Sequence, residues 1–516
     1  MHADYLILGS GLAGLSFGAL MAKAGKKVTV LEAHEYPGGY GHTFSEGGRY
    51  KFNAQLHYVW NCAKGRNVYN FLQKLNLHEE VMFEQYDPTG FDHMRMPEYA
   101  LDIPGDLNVL LERLEAMFPG YAHNFKRFLR TVEQTADELD KLPTPFNTWS
   151  FLANLGNNFH VLKYRNTTLQ EVFDYYRLPL EAQTLLALQW PDFMLPPREL
   201  SFFAWTVLFI GYCRGAFYPT KHFEHVVNSL VNTIQAHGGE IIYNRKVTGF
   251  IRNAKAIEGV HAEDLKQSGQ FDDYFGKTII CNIDPKRAAE MIGFVHFSSQ
   301  VQKKLLYDYS PSNFMAYCVV KDLDLRDFGF GRWNLFHTEQ RDLNKAFDAM
   351  YLHGDYSKPS FVITTPSLLT DDRSDCPEGC QIVELLTVAN YQRFHDLKIS
   401  DAKDYRAKKT EIFNALADTI EKHYIPQFRE HLVFQMLGSP TTNEHFCGSP
   451  GGNSYGSNLT PKNLGLNRLD HRTSLDNFYF CNASSGYPGF TGSISTGCRL
   501  YEHLTGDLFL KASEQN

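Results

Sequence analysis

Three glycines near the start of the chain have the spacing of a nucleotide-binding loop, Gly9-Ser10-Gly11-Leu12-Ala13-Gly14. In such a loop Gly9 permits a tight turn, Gly11 lets the backbone approach a diphosphate, and Gly14 lets helix and strand pack closely. Glu32 ends the following apolar run, where its carboxylate can accept hydrogen bonds from ribose hydroxyls. These residue types predict a site for a dinucleotide.

The local sequence pattern places the loop between a strand and a helix. Residues 5–8 are apolar, residues 15–24 have helix-forming composition, and residues 27–31 are β-branched and apolar. Strand, glycine turn, helix and strand in this order predict two parallel strands joined by a crossover helix. The helix start would direct free N–H groups at the phosphates.

Further along the chain, helical and mixed patterns alternate. Residues 107–142 and 166–191 repeat apolar residues at three- and four-residue spacing, which predicts a helical lobe. Residues 217–291 form a second mixed helix and strand segment, so the chain is expected to leave the nucleotide-binding fold and return to it.

A second glycine pair follows Glu32 closely, in the run Pro37-Gly38-Gly39-Tyr40-Gly41-His42-Thr43. It resembles a turn in FAD-containing flavoproteins of the amine oxidase and phytoene desaturase group. In those proteins this turn brings the backbone against the diphosphate and the flavin end of FAD. The resemblance therefore implies FAD rather than NAD.

Three more segments are similar to the phytoene desaturase, carotenoid isomerase and retinol saturase family of FAD-dependent oxidoreductases. Residues 52–58 resemble its "F-D-x-G-x-H-Y" segment. Residues 439–446 and 451–456 resemble its "P-x-T … G-x-x-Y-G" region, and residues 478–483 and 486–489 resemble its closing strand and "P-G" turn. In the family that turn and the helix after it approach the flavin pyrimidine ring.

The motif and the resemblance together imply a set of cofactor-binding residues. We expect FAD to contact Gly9, Gly11, Leu12, Ala13, Gly14, Glu32, Ala33, Gly38, Gly39, His42, Thr43, Val247, Asn282, Asn482, Ala483, Gly489, Ser493 and Ile494.

The chain departs from the family pattern at several places where flavin or substrate is expected. Lys221 and His222 replace two glycines of a "Y-P-x-G-G" segment, and they could supply charge near the flavin or form a solvated turn. Asn53 and Gln55 replace the usual Asp and Gly, and the closing strand ends in Asn482-Ala483 instead of Gly-Asp or Gly-Ala.

Four side chains are candidates for moving a proton: His57, Tyr58, Glu444 and His445. His57 has an unperturbed pKa of about 6.5 and could act beside the flavin, or it could simply pack against the cofactor. Tyr58 has the same two roles open to it, and Glu444 with His445 could form an acid/base pair.

The patterns and the resemblance predict an α/β fold: a Rossmann-type, amine oxidase-like FAD-binding domain, and a substrate domain with a β-sheet and a helical lobe. We assign residues 1–75, 215–295 and 470–516 to a discontinuous FAD-binding domain. Residues 76–214 and 296–469 are assigned to the substrate-binding domain. The active site is expected between them, because pockets favour domain interfaces.

The resemblance implies redox chemistry at carbon–carbon bonds of an apolar, polyene or isoprenoid-like small molecule, by desaturation, saturation or cis–trans isomerisation. The electron donor or acceptor is left open. Two alternatives are an amine oxidase-like flavoenzyme with a small polar substrate and a non-catalytic FAD- or lipid-binding protein. The flavin-facing glycine pair at positions 38 and 39 argues against the last, since a protein needing only an adenine nucleotide has no use for it.

Composition excludes some partners and locations. The net charge of −8 and the lack of a dense basic run argue against nucleic acid. Nine scattered cysteines predict a reducing compartment, and no metal-ligand pattern stands out, so no metal is expected. The sequence shows no signal peptide and no apolar run of transmembrane length, so we expect a cytoplasmic protein for which peripheral membrane docking is compatible with an apolar substrate.

Overall fold

The computed structural model describes residues 2–142, 158–253 and 255–510, and the rest of the predicted domain segments lies outside the described residues. The strands are β1 (His2–Leu8), β2 (Val28–Leu31), β3 (Thr43–Glu46), β4 (Tyr50–Asn53), β5 (Val59–Trp60), β6 (Phe83–Gln85), β7 (Asp92–Arg95), β8 (Ala100–Ile103), β9 (Ala216–Pro219), β10 (Glu240–Ile242), β11 (Arg245–Arg252), β12 (Ile257–Asp264), β13 (Phe271–Cys281), β14 (Ser312–Lys321), β15 (Asn334–Thr338), β16 (Ser360–Thr364), β17 (Cys380–Ala389), β18 (Leu432–Gly438) and β19 (Phe478–Phe480).

The α-helices are α1 (Leu12–Lys23), α2 (Asn67–Leu75), α3 (Leu107–Met117), α4 (Ala122–Asp140), α5 (Phe159–Tyr164), α6 (Leu169–Tyr175), α7 (Leu180–Ala187), α8 (Phe202–Cys213), α9 (His222–Ala236), α10 (Pro285–Ile292), α11 (Ser299–Leu305), α12 (Leu343–Phe347), α13 (Pro366–Leu369), α14 (Tyr391–Ser400), α15 (Ala402–His423), α16 (Pro440–Cys447) and α17 (Gly489–Thr505). Short 3₁₀ turns include Trp190–Asp192.

The first large sheet has the strand order β10-β2-β1-β13-β12-β11, with β19 paired to β13. Strands β10, β2, β1, β13 and β19 run parallel, while β11 and β12 add an antiparallel extension. Leu8 pairs with Leu31 and with Cys281, and Cys281 pairs with Phe480. The carboxyl ends of these strands therefore meet at one edge, where α/β sheets bind their ligands.

Helix α1 packs between the sheet and two later helices, α9 and α17. It is buried almost throughout because its residues are small or apolar on every side, including Leu15, Phe17 and Ala19. Gly497 of α17 approaches α1 so closely that a Cβ there would lie 2.4 Å from the carbonyl oxygen of Ala13. The last helix of the chain therefore supports the first.

The second large sheet has the order β18-β14-β17-β16-β15-β7-β8. All its pairs are antiparallel except the parallel pair of β15 and β7. Strands β14, β16 and β17 consist largely of apolar residues, because most of their side chains are buried on both faces of the sheet. A smaller sheet, β5-β9-β6, joins residues just after the glycine turns to the segment around Tyr218.

The predicted helical lobe contains α3 to α8. Helix α8 is the most apolar of them and buries Phe202, Trp205 and Phe209 against α4. No helix within residues 2–142, 158–253 and 255–510 combines the length and apolarity needed to cross a membrane.

Strands of the first sheet lie within residues 1–75, 215–295 and 470–516, and strands of the second lie within residues 76–214 and 296–469. Strand β6 is an exception, because it belongs to the second set of segments and pairs with β9 in the first. The division into two domains stays a prediction.

Candidate active site

The first glycine loop is hydrogen-bonded to Asn282, the residue after β13. Its Nδ2 donates to the carbonyl oxygens of Gly9 and Gly11 at 3.0 and 3.2 Å. Gly9 has a φ of +95°, and a Cβ at Gly14 would lie 2.8 Å from the carbonyl oxygen of Gly9. The loop therefore needs glycine at these positions for its turn and its packing.

The second glycine turn lies directly against the first. The Gly38 N–H donates to the carbonyl oxygen of Ser10 at 3.0 Å, and Gly38 forms a parallel bridge with Gly11. A Cβ at Gly39 would lie 3.2 Å from the Cα of Gly11. His42 then closes the turn, with its Nδ1 2.6 Å from the carbonyl oxygen of Gly39.

Glu32 links the loop to the end of β2. One carboxylate oxygen accepts from the backbone N–H and hydroxyl of Ser10 at 2.7 and 2.5 Å, and the other accepts from the His34 N–H at 2.8 Å. The half-buried carboxylate lines the adjoining cavity. It is thus fixed at the position where a ribose is expected.

A cleft of about 1310 Å³ opens along the edge of the first sheet. Fifteen of the predicted cofactor-binding residues line it: Gly9, Gly11, Leu12, Ala13, Glu32, Ala33, Gly38, Gly39, His42, Val247, Asn282, Asn482, Ala483, Gly489 and Ser493. The other three lie elsewhere, with Gly14 behind the loop, Thr43 in β3 beside Asn53, and Ile494 in the core of α17.

The far wall of the cleft is built by the end of β19 and the start of α17. Asn482 donates from Nδ2 to the carbonyl oxygens of Cys281 and Ile283, both at 3.2 Å, and its Oδ1 accepts the Ser484 N–H at 3.0 Å. Asn482 therefore ties the closing strand to β13. Gly489 begins α17, so the positive end of that helix faces the cleft.

Glu444 and His445 line the outer part of the cleft on α16. Glu444 accepts the Tyr391 hydroxyl at 2.6 Å and lies 3.8 Å from an Arg287 guanidinium nitrogen. His445 is exposed and packs edge-on against Phe446. Each residue thus has separate partners in the structure.

His57 lies deeper in the molecule and is 8% exposed. Its Nδ1 is 3.2 Å from Oε2 of Glu384, which is 1% exposed in the middle of β17, and Nε2 is buried without a hydrogen-bond partner. The other carboxylate oxygen of Glu384 accepts the Asn53 N–H at 3.3 Å. Glu384 therefore orients the His57 ring.

Tyr58 lies between two carboxyl groups. Its hydroxyl oxygen is 2.8 Å from Oδ2 of Asp192 and 3.1 Å from Oδ2 of Asp92. The ring stacks on Tyr212 with a centroid distance of 3.9 Å and an interplanar angle of 1°. Asp92 is fully buried in β7, whereas Asp192 is partly exposed.

The Tyr58 hydroxyl lies between two carboxyl groups and has one proton to donate. It can donate to one carboxylate at a time. Asp92 also accepts from Gln189 Nε2 at 2.5 Å and from Asn334 Nδ2 at 3.4 Å. The three groups are satisfied when they share one further proton, so that one carboxyl group donates to Tyr58 and Tyr58 donates to the other.

Burial changes the acidity of the same groups. It raises the pKa of Asp192 to about 7, against the opposing effects of the Tyr58 hydrogen bond and the His57 charge. Burial, followed by the charge of Asp192, raises the pKa of Asp92 well above its usual range. The pKa of Tyr58 is raised as well, chiefly by burial, so its hydroxyl stays protonated.

This buried cluster adjoins the inner end of the cleft. Gln55 and Leu56 line the cleft, and the chain continues from them into His57 and Tyr58. On the opposite side Tyr455 lines the cleft and donates its hydroxyl to the Pro191 carbonyl oxygen at 3.1 Å. The cleft and the cluster are therefore joined by adjacent residues.

Two of the departures from the family pattern are connected through Tyr218. Asn53 donates from Nδ2 to the Tyr218 hydroxyl at 2.8 Å, and that hydroxyl is 3.0 Å from Nδ1 of His222. His222 is buried, while Lys221 is exposed, and neither lines the cleft. Gln55 bonds with Asn313 and Asn443. The polar groups of Asn53, Gln55 and His222 thus have partners inside the protein.

Sequence analysis missed Asp92, Asp192, Glu384 and Arg287. Glu384 carried a signal, because an acidic residue stands inside the apolar run of β17. Asp92 and Asp192 carried no such signal, because the residues around them form no recognisable motif. They are brought together only by the fold.

The chain is similar to known proteins over most of its length. The family of NAD(P)-binding Rossmann-like domains matches residues 7–75. All-trans-retinol 13,14-reductase of Danio rerio is 22% identical, over 95% of this chain and 84% of its own length. Chloroplastic prolycopene isomerase of Arabidopsis thaliana is 22% identical, over 94% of this chain and 79% of its own.

Solved structures show the same fold at low identity. Putrescine oxidase bound to putrescine has a TM-score of 0.61 and 12% identity, with 98% of this chain and 99% of that chain covered. An oxidoreductase from Methanosarcina mazei has a TM-score of 0.58 and 14% identity, with 98% and 100% covered. The predicted α/β, Rossmann-type, amine oxidase-like fold is confirmed.

The relatives support an oxidoreductase, and the Rossmann-type fold implies a flavin-type dinucleotide cofactor. The similarity over nearly the whole chain supports the family that the sequence motifs indicated, the retinol saturase and carotenoid isomerase family of oxidoreductases.

Proposed function

We propose that the protein binds FAD in the cleft and reduces a carbon–carbon double bond of an apolar polyene. The residues present fit a dinucleotide, because two glycine turns keep the floor of the cleft free of side chains and α1 directs its N-terminus there. The start of α17 at the other wall supports a flavin beyond the nucleotide. FAD supplies hydride chemistry when bound, and the chain supplies position and protons.

The surroundings of Asp192 support an apolar substrate. Tyr58 stacks between Tyr212 and Tyr86, with centroid distances of 3.9 and 5.8 Å, and Phe91 lies 6.3 Å from Tyr212. All four rings are buried, so the protein interior beside Asp192 is aromatic and apolar, which suits a conjugated chain better than a small amine. The relatives named all-trans-retinol 13,14-reductase support the same substrate class.

The observation that carries the direction of the reaction is the hydrogen-bond chain Asp192–Tyr58–Asp92. Saturating a double bond adds a hydride to one carbon and a proton to the other. Asp192 is partly exposed, has a pKa raised to about 7, so that a proton is available on it near neutral pH, and is hydrogen-bonded to Tyr58, which in turn contacts Asp92. In this proposal Asp192 donates the proton, while His57, oriented by Glu384, positions the substrate.

Polyene isomerisation is a second candidate. Prolycopene isomerases match the chain over 94% of its length, and the retinol reductases match it over 88% to 99%. Isomerisation would change double-bond geometry without net oxidation of the flavin. An amine oxidase activity has weaker support, because the matched amine oxidases share 12% or 13% identity and show the fold only.

The test is a visible spectrum followed by an anaerobic half-reaction. We expect flavin bands near about 370 and 450 nm. The flavin is then reduced anaerobically, and all-trans-retinol is added as the probe. Recovery of the 450 nm band with a matching amount of product two hydrogens heavier supports saturation. A change of polyene geometry with no recovery supports isomerisation.

Two other outcomes would contradict the proposal. Protein that neither retains nor takes up FAD would remove its basis. Bleaching of the oxidised flavin by a primary amine, with no response of the reduced flavin to polyenes, would favour the amine oxidase alternative. Peripheral docking on a membrane stays a prediction, which flotation with liposomes would check.

A further inference from the structure

A second polar cluster lies away from the cleft, where the end of α15 meets β15. It contains His337 in β15, Glu339 one residue after that strand, and His423 at the last position of α15. One ligand atom from each residue lies within 4.8 Å of the other two. None of the three lines the dinucleotide cleft.

His337 is only 2% exposed, yet its Nε2 has no hydrogen-bond partner. Nδ1 lies 2.6 Å from the Tyr424 hydroxyl, which leaves Nε2 as the free ring nitrogen pointing toward Glu339, 3.9 Å from its Oε1. A buried polar atom without a partner is unfavourable and needs a reason. A bound cation would provide one.

The other two groups complete a metal-ligand set. Oε1 of Glu339 is 2.7 Å from Nε2 of His423, and the His337 and His423 ring centroids are 5.2 Å apart. Ligand atoms of a tetrahedral zinc site lie about 3.3 Å from one another, given bonds of about 2.0–2.1 Å. The two measured distances, 2.7 and 3.9 Å, lie on either side of that value.

We propose that His337, Glu339 and His423 form a Zn²⁺ site. Two imidazoles and a carboxylate are ligands that this ion prefers, and they leave a fourth position for water. A histidine that binds a metal through one ring nitrogen commonly makes a hydrogen bond through the other. Here Nδ1 of His337 makes that hydrogen bond to the Tyr424 hydroxyl. The ion would join the C-terminal end of α15 to β15.

The Lys422 ammonium lies beside the proposed zinc position, and its removal therefore tests the proposal. Its Nζ donates to the same Glu339 oxygen at 3.0 Å, so a metal ion would have to displace it. Because the ammonium competes with the cation, Lys422→Gln should bind Zn²⁺ several-fold more tightly than the wild type. A purely structural cluster would show no such gain.

The experiment is calorimetric titration of the chelator-treated, FAD-loaded protein with ZnCl₂. The wild type should bind one equivalent, and His423→Ala and Glu339→Gln should lose that binding. Tyr424→Phe should weaken it by about 10- to 100-fold. His261→Ala is the matched control, because this half-exposed histidine also pairs with a carboxylate and should leave zinc binding unchanged.

Neither ligand variant replaces a fully buried side chain, since those of His423 and Glu339 are 25% and 17% exposed, and both variants are therefore expected to fold. Absence of zinc binding by the wild type would overturn the proposal. So would equal binding by the wild type, His423→Ala and Glu339→Gln, since the ion would then be held elsewhere, for example by cysteines. The readout is zinc binding itself and does not depend on the proposed reaction.

Discussion

The Asp192 carboxyl is the partly exposed end of a hydrogen-bond chain whose other end, Asp92, is enclosed in β7. If it delivers a proton, Asp192→Asn should lower the rate of polyene reduction by about 100-fold or more. The asparagine keeps the hydrogen bond to Tyr58, so FAD content and the flavin spectrum should be unchanged. Single-turnover reoxidation of the reduced flavin by all-trans-retinol measures the effect.

The control for this variant is Asp174→Asn, which makes the same chemical change at an exposed position on α6. It should reduce the polyene at the wild-type rate. A wild-type rate for Asp192→Asn as well would rule out Asp192 as the proton donor.

The pH dependence gives a second residue-scale prediction. The pKa of Asp192 is raised to about 7, and the protonated form is the donor. The single-turnover rate should therefore be highest below pH about 7 and fall as the pH rises through that value. The falling limb should disappear in Asp192→Asn. A wild-type rate that instead rises through neutral pH would indicate a base in the rate-limiting step.

For individual residues, the sequence predicted a role in the site only where that role depends on the spacing of neighbouring residues. Gly9, Gly11 and Gly14 act within one turn, so their spacing predicts their packing. Asp92 and Asp192 each contact Tyr58, from 34 and 134 positions away along the chain, and no local pattern encodes such contacts. His57 and Tyr58 were found through the resemblance, whereas the carboxylates that orient them were not.

Helix α1 carries the element-scale prediction, because its first turn is both a packing surface and one wall of the cleft. A Cβ at Gly14 would lie 2.8 Å from the Gly9 carbonyl oxygen, which cannot move without moving the loop. Overpacking of about 1–3 kcal/mol would weaken FAD binding by about tenfold or more. Gly14→Ala should therefore be purified with little flavin, as measured by absorbance per protein.

Gly18→Ala, one turn further along α1, is the matched control. Its Cβ would meet only the side-chain ends of Ile7 and Ile234, at 3.0 and 3.2 Å, which can shift slightly. This variant should retain wild-type flavin content. If Gly14→Ala retained it too, the loop would be more adaptable than the contact with Gly9 indicates.

Secondary structure was predicted well where the hydrophobic pattern was strong. The apolar repeats over residues 107–142 and 166–191 predicted helices, and α3, α4, α6 and α7 lie there. The last described helix, α17, begins at Gly489 and had no such pattern at its start. Its first two turns are rich in Gly, Ser and Thr, which are poor helix formers, and close packing of Gly497 on α1 stabilises them instead.

At the scale of the whole molecule, the cleft is lined by both halves of the chain, including Glu32 beside the first sheet and Tyr455 beyond the second. FAD should therefore stabilise the entire protein. With free FAD at about 100 times its dissociation constant, stabilisation should reach about 2.7 kcal/mol and appear as one unfolding transition. Thermal unfolding of the flavin-free protein with added FAD measures this shift.

ADP is the control ligand, because it can occupy only the part of the cleft beside the first glycine loop and Glu32. At the same concentration it should raise the midpoint of unfolding less than FAD does. Equal stabilisation by ADP and FAD would mean that the wall formed by β19 and α17 makes no contact with the flavin portion.

The position of β19 and α17 in the chain bears on how the protein is made. The nucleotide loop is synthesised long before the opposite wall of its cleft, which runs from Asn482 to Ser493. Residues 279–281 of β13 cannot gain their parallel neighbour β19 until then. The complete cleft can therefore form only after both walls have been synthesised, and until then this part of β13 lacks a partner strand and stays open to chaperones.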